Sequence, residues 1–282
     1  MPARVLDKLI IVFVALVILC AALAWAILRE KQINDEKAMS YLSSGGDKSR
    51  DGDQDDAIAD YNKALELEPN ATSFDAELYN SLGSAKSDKG DLEGAMTDYD
   101  KALELHPDYS EAYNGRGFVK TVKGDLDGAI ADYTRSIEVN PYLTDAYNAR
   151  GSVELIKGDY QGAMADFRKI IQMDKDMMAT NAATGESPDS YFAKIHLYLI
   201  LRHLHQDTAV AELEKSVKQN PDEFFESMVG SFVLGDLSEA DLLAKAAQGD
   251  TGATSKRFTG QAFYYIGPVV SGRTGGGFMQ VI

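Results

Sequence analysis

The chain has 282 residues, of which 45% are apolar, enough for a packed core in one or two domains. Its net charge of −16 gives a surface that phosphate backbones repel, which excludes nucleic acid as a favoured partner. One cysteine, Cys20, excludes an intramolecular disulfide.

Residues 1–8 form a short tail with Arg4 and Lys8. Leu9–Leu28 reads LIIVFVALVILCAALAWAIL, twenty residues without a charge. A helix rises ~1.5 Å per residue, so this run spans about 30 Å, the thickness of a bilayer's hydrocarbon. It predicts one transmembrane helix over 9–28, with Trp25 at an interface. The run is longer than the apolar region of a cleaved signal, which favours an uncleaved anchor. The rival is cleavage after Ala24-Trp25-Ala26. Arg4 and Lys8 precede the run and Arg29 and Lys31 come after it, so the basic residues do not decide orientation. The common arrangement for such an anchor keeps the short tail inside and exports the rest of the chain, here to the periplasm if the cell is bacterial. Residues 29–37 are expected as a linker.

Residues 38–177 repeat themselves. Gly90, Gly124 and Gly158 are 34 apart, as are Gly83, Gly117 and Gly151, and Tyr79, Tyr113 and Tyr147. Pro107 and Pro141 keep the same step. Between the first two units the step is 38, the extra residues falling in ATSFDAEL, where a surface insertion costs little. Each unit carries two helical patterns. In the third, Ala112–Lys123 is helix A, Gly124-Asp125 is a turn with a left-handed helix end and a capping Asp, and Leu126–Val139 is helix B. Pro141 stops it. Small residues (Gly83, Gly117 and Gly151 in helix A; Ala57, Ala95, Ala129 and Ala163 in helix B) allow close approach. The rings Tyr61, Tyr99, Tyr133 and Phe167 fill the space between units. The first helix A, YLSSGGDKSRD, is poor: Gly45-Gly46 and its polar residues weaken helix propensity, so it either frays or caps the array. No single pair buries its apolar stripe alone, so the units must stack.

Residues 178–190, with NAATGESPDS, are expected as a loop. Residues 191–267 are a looser version of the pattern, with Ala209 at the small-residue place, Leu213 at the ring place, Pro221 as a stop and a Gly235-Asp236 turn. Residues 268–282 are a Gly-rich tail with no second helix, which leaves Phe263, Tyr264, Tyr265 and Ile266 to pack on another subunit, on a partner, or under the tail itself.

Small residues, rings, Gly-Asp turn and terminal Pro together resemble the tetratricopeptide repeat. The resemblance implies an all-α solenoid of helix-turn-helix units, here preceded by one N-terminal transmembrane helix. Good repeats and then degenerate ones behind a membrane signal are similar in layout to bacterial tetratricopeptide lipoproteins, which act as adaptors for periplasmic proteases and cell-wall hydrolases. Bulky Leu19 stands where the lipid signal of that group has a small residue before its cysteine.

In that architecture the A helices line a concave face. The residues free of packing there are Asn80, Asn114 and Asn148, with Ser84, Phe118 and Ser152 one turn on and Glu77, Glu111 and Asp145 one turn back. An Asn ladder offers donors and acceptors to the backbone of an extended peptide; the alternative is that Asn is simply frequent at this place. Chaperone-binding members of the family clamp a carboxylate with Lys and Arg in this groove. Here acids and neutral amides stand instead, which favours a neutral or basic segment. Arg116 and Arg150, where an apolar residue is usual, are expected to snorkel along packed stems.

His196, His203 and His205 lie close in sequence, but His203 and His205, two apart on a helix, point to different faces, so no metal site is expected. Gly115-Arg116-Gly117 has no strand before it and is not a dinucleotide loop, and no phosphate-loop, H-E-x-x-H or G-x-S-x-G pattern occurs. No cofactor is expected. The function expected is a membrane-tethered, non-catalytic scaffold that binds protein or peptide partners. The alternatives are an assembly protein that oligomerises, through its C-terminal end among other places, or an enzyme with its site in the C-terminal half.

Overall fold

A computed structural model describes residues 3–67, 73–180 and 188–219. Those residues form helices and, among them, no strand. The chain divides into two compact units, Met1–Pro107 and Asp108–Ile282.

The first unit contains α1 (Ala3–Asp51), α2 (Gln54–Leu67), α3 (Ser73–Lys89) and α4 (Leu92–Leu105). α1 pairs with α2, α3 with α4, and α2 lies against α3. Ala38, Ala57, Tyr61, Ala64, Leu78, Leu82 and Ala85 form one buried cluster across the first three helices. Alanines at the crossings let the backbones approach. The larger side chains supply the burial, about 1.5–3 kcal/mol for each fully enclosed Leu.

The helix expected to be poor is a full repeat helix. A Cβ on Gly45 would lie 2.5 Å from Cε1 of Tyr61, so α1 can meet α2 this closely only with glycine there. Gly45 is thus the counterpart of Gly117, whose Cβ would lie 2.8 Å from Cε1 of Tyr133. The tertiary contact outweighs the roughly 1 kcal/mol that glycine costs a helix interior.

α1 runs without interruption through residues 29–37, the segment expected as a linker. The transmembrane span expected over 9–28 is not supported by the described residues, because no helix among them is long and apolar enough to cross a membrane. Within Leu9–Leu28, side chains are described at Phe13 and from Ala15 onward. There Leu16, Val17, Ile18, Leu19, Leu23, Trp25, Ile27 and Leu28 are all exposed, and the Arg29 guanidinium lies 5.3 Å over the Trp25 ring.

The second unit contains α5 (Ser110–Val122), α6 (Leu126–Val139), α7 (Thr144–Lys157), α8 (Tyr160–Ala179), α9 (Pro188–His203) and α10 (Asp207–Gln219). Neighbours in sequence are neighbours in space from α5 through α10. One buried cluster joins Tyr147 and Leu155 of α7, Phe167 and Ile170 of α8, Ile195 and Tyr198 of α9, and Val210 of α10. Ala209 and Leu213 are partly buried against it. α8 has 20 residues where α6 has 14. Lys175 stands at the place of Pro107 and Pro141, so nothing interrupts its hydrogen-bond ladder.

The turns explain the Gly-Asp pairs. At Gly124 φ is +83°, a left-handed conformation that a Cβ disfavours. The next amide, Asp125 N, reaches back to Lys120 O at 2.9 Å, and Gly124 N donates to Thr121 O at 3.0 Å, which together close the helix end. The Asp125 carboxylate then accepts from Gly128 N at 3.0 Å and caps α6. The same geometry returns at Asp91 and Asp159. Between α9 and α10 the left-handed place is taken by His205, with φ 53°, at a cost of about 1 kcal/mol relative to glycine.

Of the loop expected over 178–190, residues 178–179 belong to α8 and 188–190 to α9. Residues 181–187, Pro221, the Gly235-Asp236 turn, the Phe263–Ile266 cluster and the tail 268–282 lie outside the described residues.

Candidate functional site

The expected binding residues divide between the units. Glu77, Asn80 and Ser84 lie on α3 in the first; Glu111, Asn114 and Phe118 on α5, and Asp145, Asn148 and Ser152 on α7, in the second. Glu77, Glu111 and Asp145 are exposed, while Asn80, Asn114, Asn148, Ser84 and Phe118 are partly buried. Ser152 differs from the expectation. It is 3% exposed and its Oγ donates to Asn148 O at 2.8 Å, so the hydroxyl is used within α7.

Asn114 Oδ1 and Asn148 Oδ1 are enclosed and meet no hydrogen-bond donor among the described residues. An enclosed carbonyl of this kind costs about 1–3 kcal/mol until a donor reaches it. Two such oxygens stand at the same repeat place, one on α5 and one on α7.

A second feature lies outside the expected set. Asp60, Asp98, Asp132 and Asp166, each directly before the helix B ring, are 3–5% exposed. A buried carboxylate needs cations, and helix A supplies them. Lys48, Lys86 and Lys120 place Nζ 2.6, 2.5 and 2.7 Å from Asp60, Asp98 and Asp132. Asp60 also accepts from Ser44 Oγ at 2.7 Å. The Lys48 hydrogen bond, and after it that of Ser44, pulls its carboxyl down to about 2. That pair therefore stabilises the fold above the unfolded carboxyl value near 4, and the contribution is lost as pH falls toward 2.

Arg116 and Arg150 do not snorkel. Arg116 donates from Nε (2.8 Å) and Nη2 (2.7 Å) to the two oxygens of Asp132. Arg150 makes the same fork to Asp166, and its Nη1 donates to Thr134 Oγ1 of α6 at 2.9 Å. These cations are held inside the repeats, with their planar forks matched to the carboxylates. The signal in sequence is the recurrent Asp before each ring together with a basic residue at the helix A step.

The histidines go separate ways. His196 is buried, its ring stacked 4.8 Å from Phe167 and its Nδ1 2.8 Å from Phe192 O. Burial lowers its proton affinity. His203 lies against the Tyr160 ring, and His205 is in the turn. Among the described residues, no group of three His, Cys, Asp or Glu is placed to hold a metal ion.

Three family models match the chain: one described as TPR repeat over residues 83–120, and two described as tetratricopeptide repeat over 122–177 and 49–71. No curated protein matches it. Among solved structures, MamA is 25% identical with a TM-score of 0.50, covering 64% of this chain and 95% of that one. PilF of Pseudomonas aeruginosa is 15% identical with a TM-score of 0.56, covering 81% and 99%. PilW, described as a widely conserved type IV pilus biogenesis factor, is 19% identical with a TM-score of 0.52, covering 65% and 77%. The last two likenesses concern the fold alone.

Proposed function

With the chain taken as an all-α tetratricopeptide-repeat protein, we propose that it is a non-catalytic scaffold that holds an extended protein segment along the A helices of its second unit. The observation that carries this reading is the pair of enclosed, unpaired amide oxygens of Asn114 and Asn148. Spaced by one repeat, they suit the backbone N–H groups of an extended chain once the enclosed amides turn outward, and such a chain presents donors whatever its sequence. Exposed Glu111 and Asp145 flank them. The nearby cations Arg116, Lys120 and Arg150 are committed to Asp132 and Asp166. A neutral or basic segment therefore meets a complementary surface, and a free carboxylate does not.

The finer reading adds a tether. The uncharged run Leu9–Leu28 would anchor α1 in a bilayer, with the repeats on the extracytoplasmic side. Tethering raises the local concentration of the scaffold toward other membrane proteins. Protease protection in intact cells tests this: protected repeats reject the orientation, and release of the chain by carbonate rejects the anchor.

The binding reading is tested by pull-down from cells with the full chain. Asn114→Ala plus Asn148→Ala is expected to weaken capture of a specific partner by about fivefold or more, since each lost hydrogen bond is worth roughly 0.5–1.5 kcal/mol. Helical dichroism is expected to stay intact. Capture that ignores the double change rejects this site.

A further inference from the structure

Lys48, Lys86 and Lys120 share one structural place. Their carbonyls accept the amides of Asp53, Asp91 and Asp125 at 2.9, 2.8 and 2.9 Å, closing each helix A. In the fourth pair the carbonyl that accepts Asp159 N, at 2.9 Å, belongs to Glu154. The repeat thus puts a carboxyl where three lysines pair with the buried Asp, and the Asp it faces, Asp166, is retained.

The surroundings do not neutralise it. The Glu154 side chain is 15% exposed, and its Oε2 is enclosed with no hydrogen-bond partner among the described residues. It lies on the backbone of α8, since a Cβ at Gly162 would be 2.7 Å from Oε2. Its Oε1 is 4.0 Å from Arg150 Nε, but that guanidinium is engaged by Asp166 and Thr134. Lys157, on its own helix, is paired with Asp127 of α6. From the turn, Asp159 adds negative charge while capping α8.

We propose that Glu154 is a proton-controlled latch between α7 and α8, closed when its carboxyl carries a proton and loosened when it ionises. A proton on Oε2 removes the repulsion from Asp166 and Asp159 and the cost of an enclosed charge. Burial, then Asp166, push the Glu154 carboxyl up to about 7, against the pull of Arg150. In the unfolded chain a Glu releases its proton near 4.5. The pair is therefore unpenalised below that value and loses stability progressively as pH rises toward 7. The latch belongs to this repeat alone among the four described, and it works near neutral pH. α7 also carries Asn148, so loosening reaches the segment that presents it.

Hydrogen exchange on the full chain at pH 5.5 and 8.5, corrected for intrinsic rates, tests the latch. In wild type the opening of α7 and α8 is expected to rise about tenfold more than that of α5 and α6. Glu154→Gln is expected to abolish that difference. Glu154→Lys, which restores the arrangement of the third pair, is expected to abolish it too and to protect α7 and α8 at both pH values. If wild type and both variants change equally with pH, or if α7 and α8 of wild type are better protected at pH 8.5, the latch is wrong.

Discussion

Replacing Asp132 by Ala is expected to destabilise the α5–α6 pair by about 3 kcal/mol, measured as a shift in denaturation midpoint. Asp132 accepts the Arg116 fork and Lys120 Nζ at 2.7 Å, so the change strands two cations whose side chains are 20% and 22% exposed. That residual exposure lets them reach water in part and keeps the cost at the low end for a broken buried pair. Arg116→Leu provides the contrast. Leu82 stands at the same place in the second repeat, where Lys86 serves Asp98 without an arginine fork from that place. The variant leaves Asp132 with Lys120 and is expected to cost less than about 1.5 kcal/mol. Equal losses in the two variants would mean that the buried Asp does not organise the pair.

Tyr133→Ala is expected to cost about 3–5 kcal/mol, the range for removing a buried aromatic ring. The ring is 0% exposed and fits against Gly117, which has no side chain to fall into the void. Its hydroxyl is 3.3 Å from Thr121 Oγ1. Tyr133→Phe keeps the ring and removes the hydroxyl, about 0.5–1.5 kcal/mol for a hydrogen bond, and the fourth repeat already uses Phe167 at this place. Thermal unfolding of both variants by circular dichroism measures the difference. A Tyr133→Ala chain as stable as Tyr133→Phe would show that the ring is not the filler between helices.

Local chemistry is legible in the letters and contacts between helices are less so. α6 runs over Leu126–Val139 as its Gly-Asp turn, capping Asp and downstream Pro predict, because each signal acts within a few residues of itself. α1 shows the limit of propensity: Gly45 reads as a helix breaker until Tyr61 is brought against it. The interior charges are hidden for another reason. In a chain of net charge −16 an Asp reads as solvated surface, and only pairing across helices shows that Asp60, Asp98, Asp132 and Asp166 are inside. The step that aligns the glycines also aligns Lys48, Lys86, Lys120 and Glu154, so the break at the fourth unit is in the letters. The α9–α10 turn is obscured because His205 replaces the marker glycine. Of the candidate site, the Asn places are readable from their spacing. The internal bond of Ser152 and the enclosure of the Asn oxygens depend on packing that spacing does not encode.

The binding claim meets its most direct test in photo-crosslinking from single positions of the full chain in cells. A photoreactive phenylalanine at Phe118, one turn from Asn114, is compared with one at exposed Ala131 of α6. The account predicts a discrete partner adduct from position 118, lost on Asn114→Ala plus Asn148→Ala, and none from position 131. Adducts of equal yield from both positions, or an adduct from 118 that survives the double change, would contradict it.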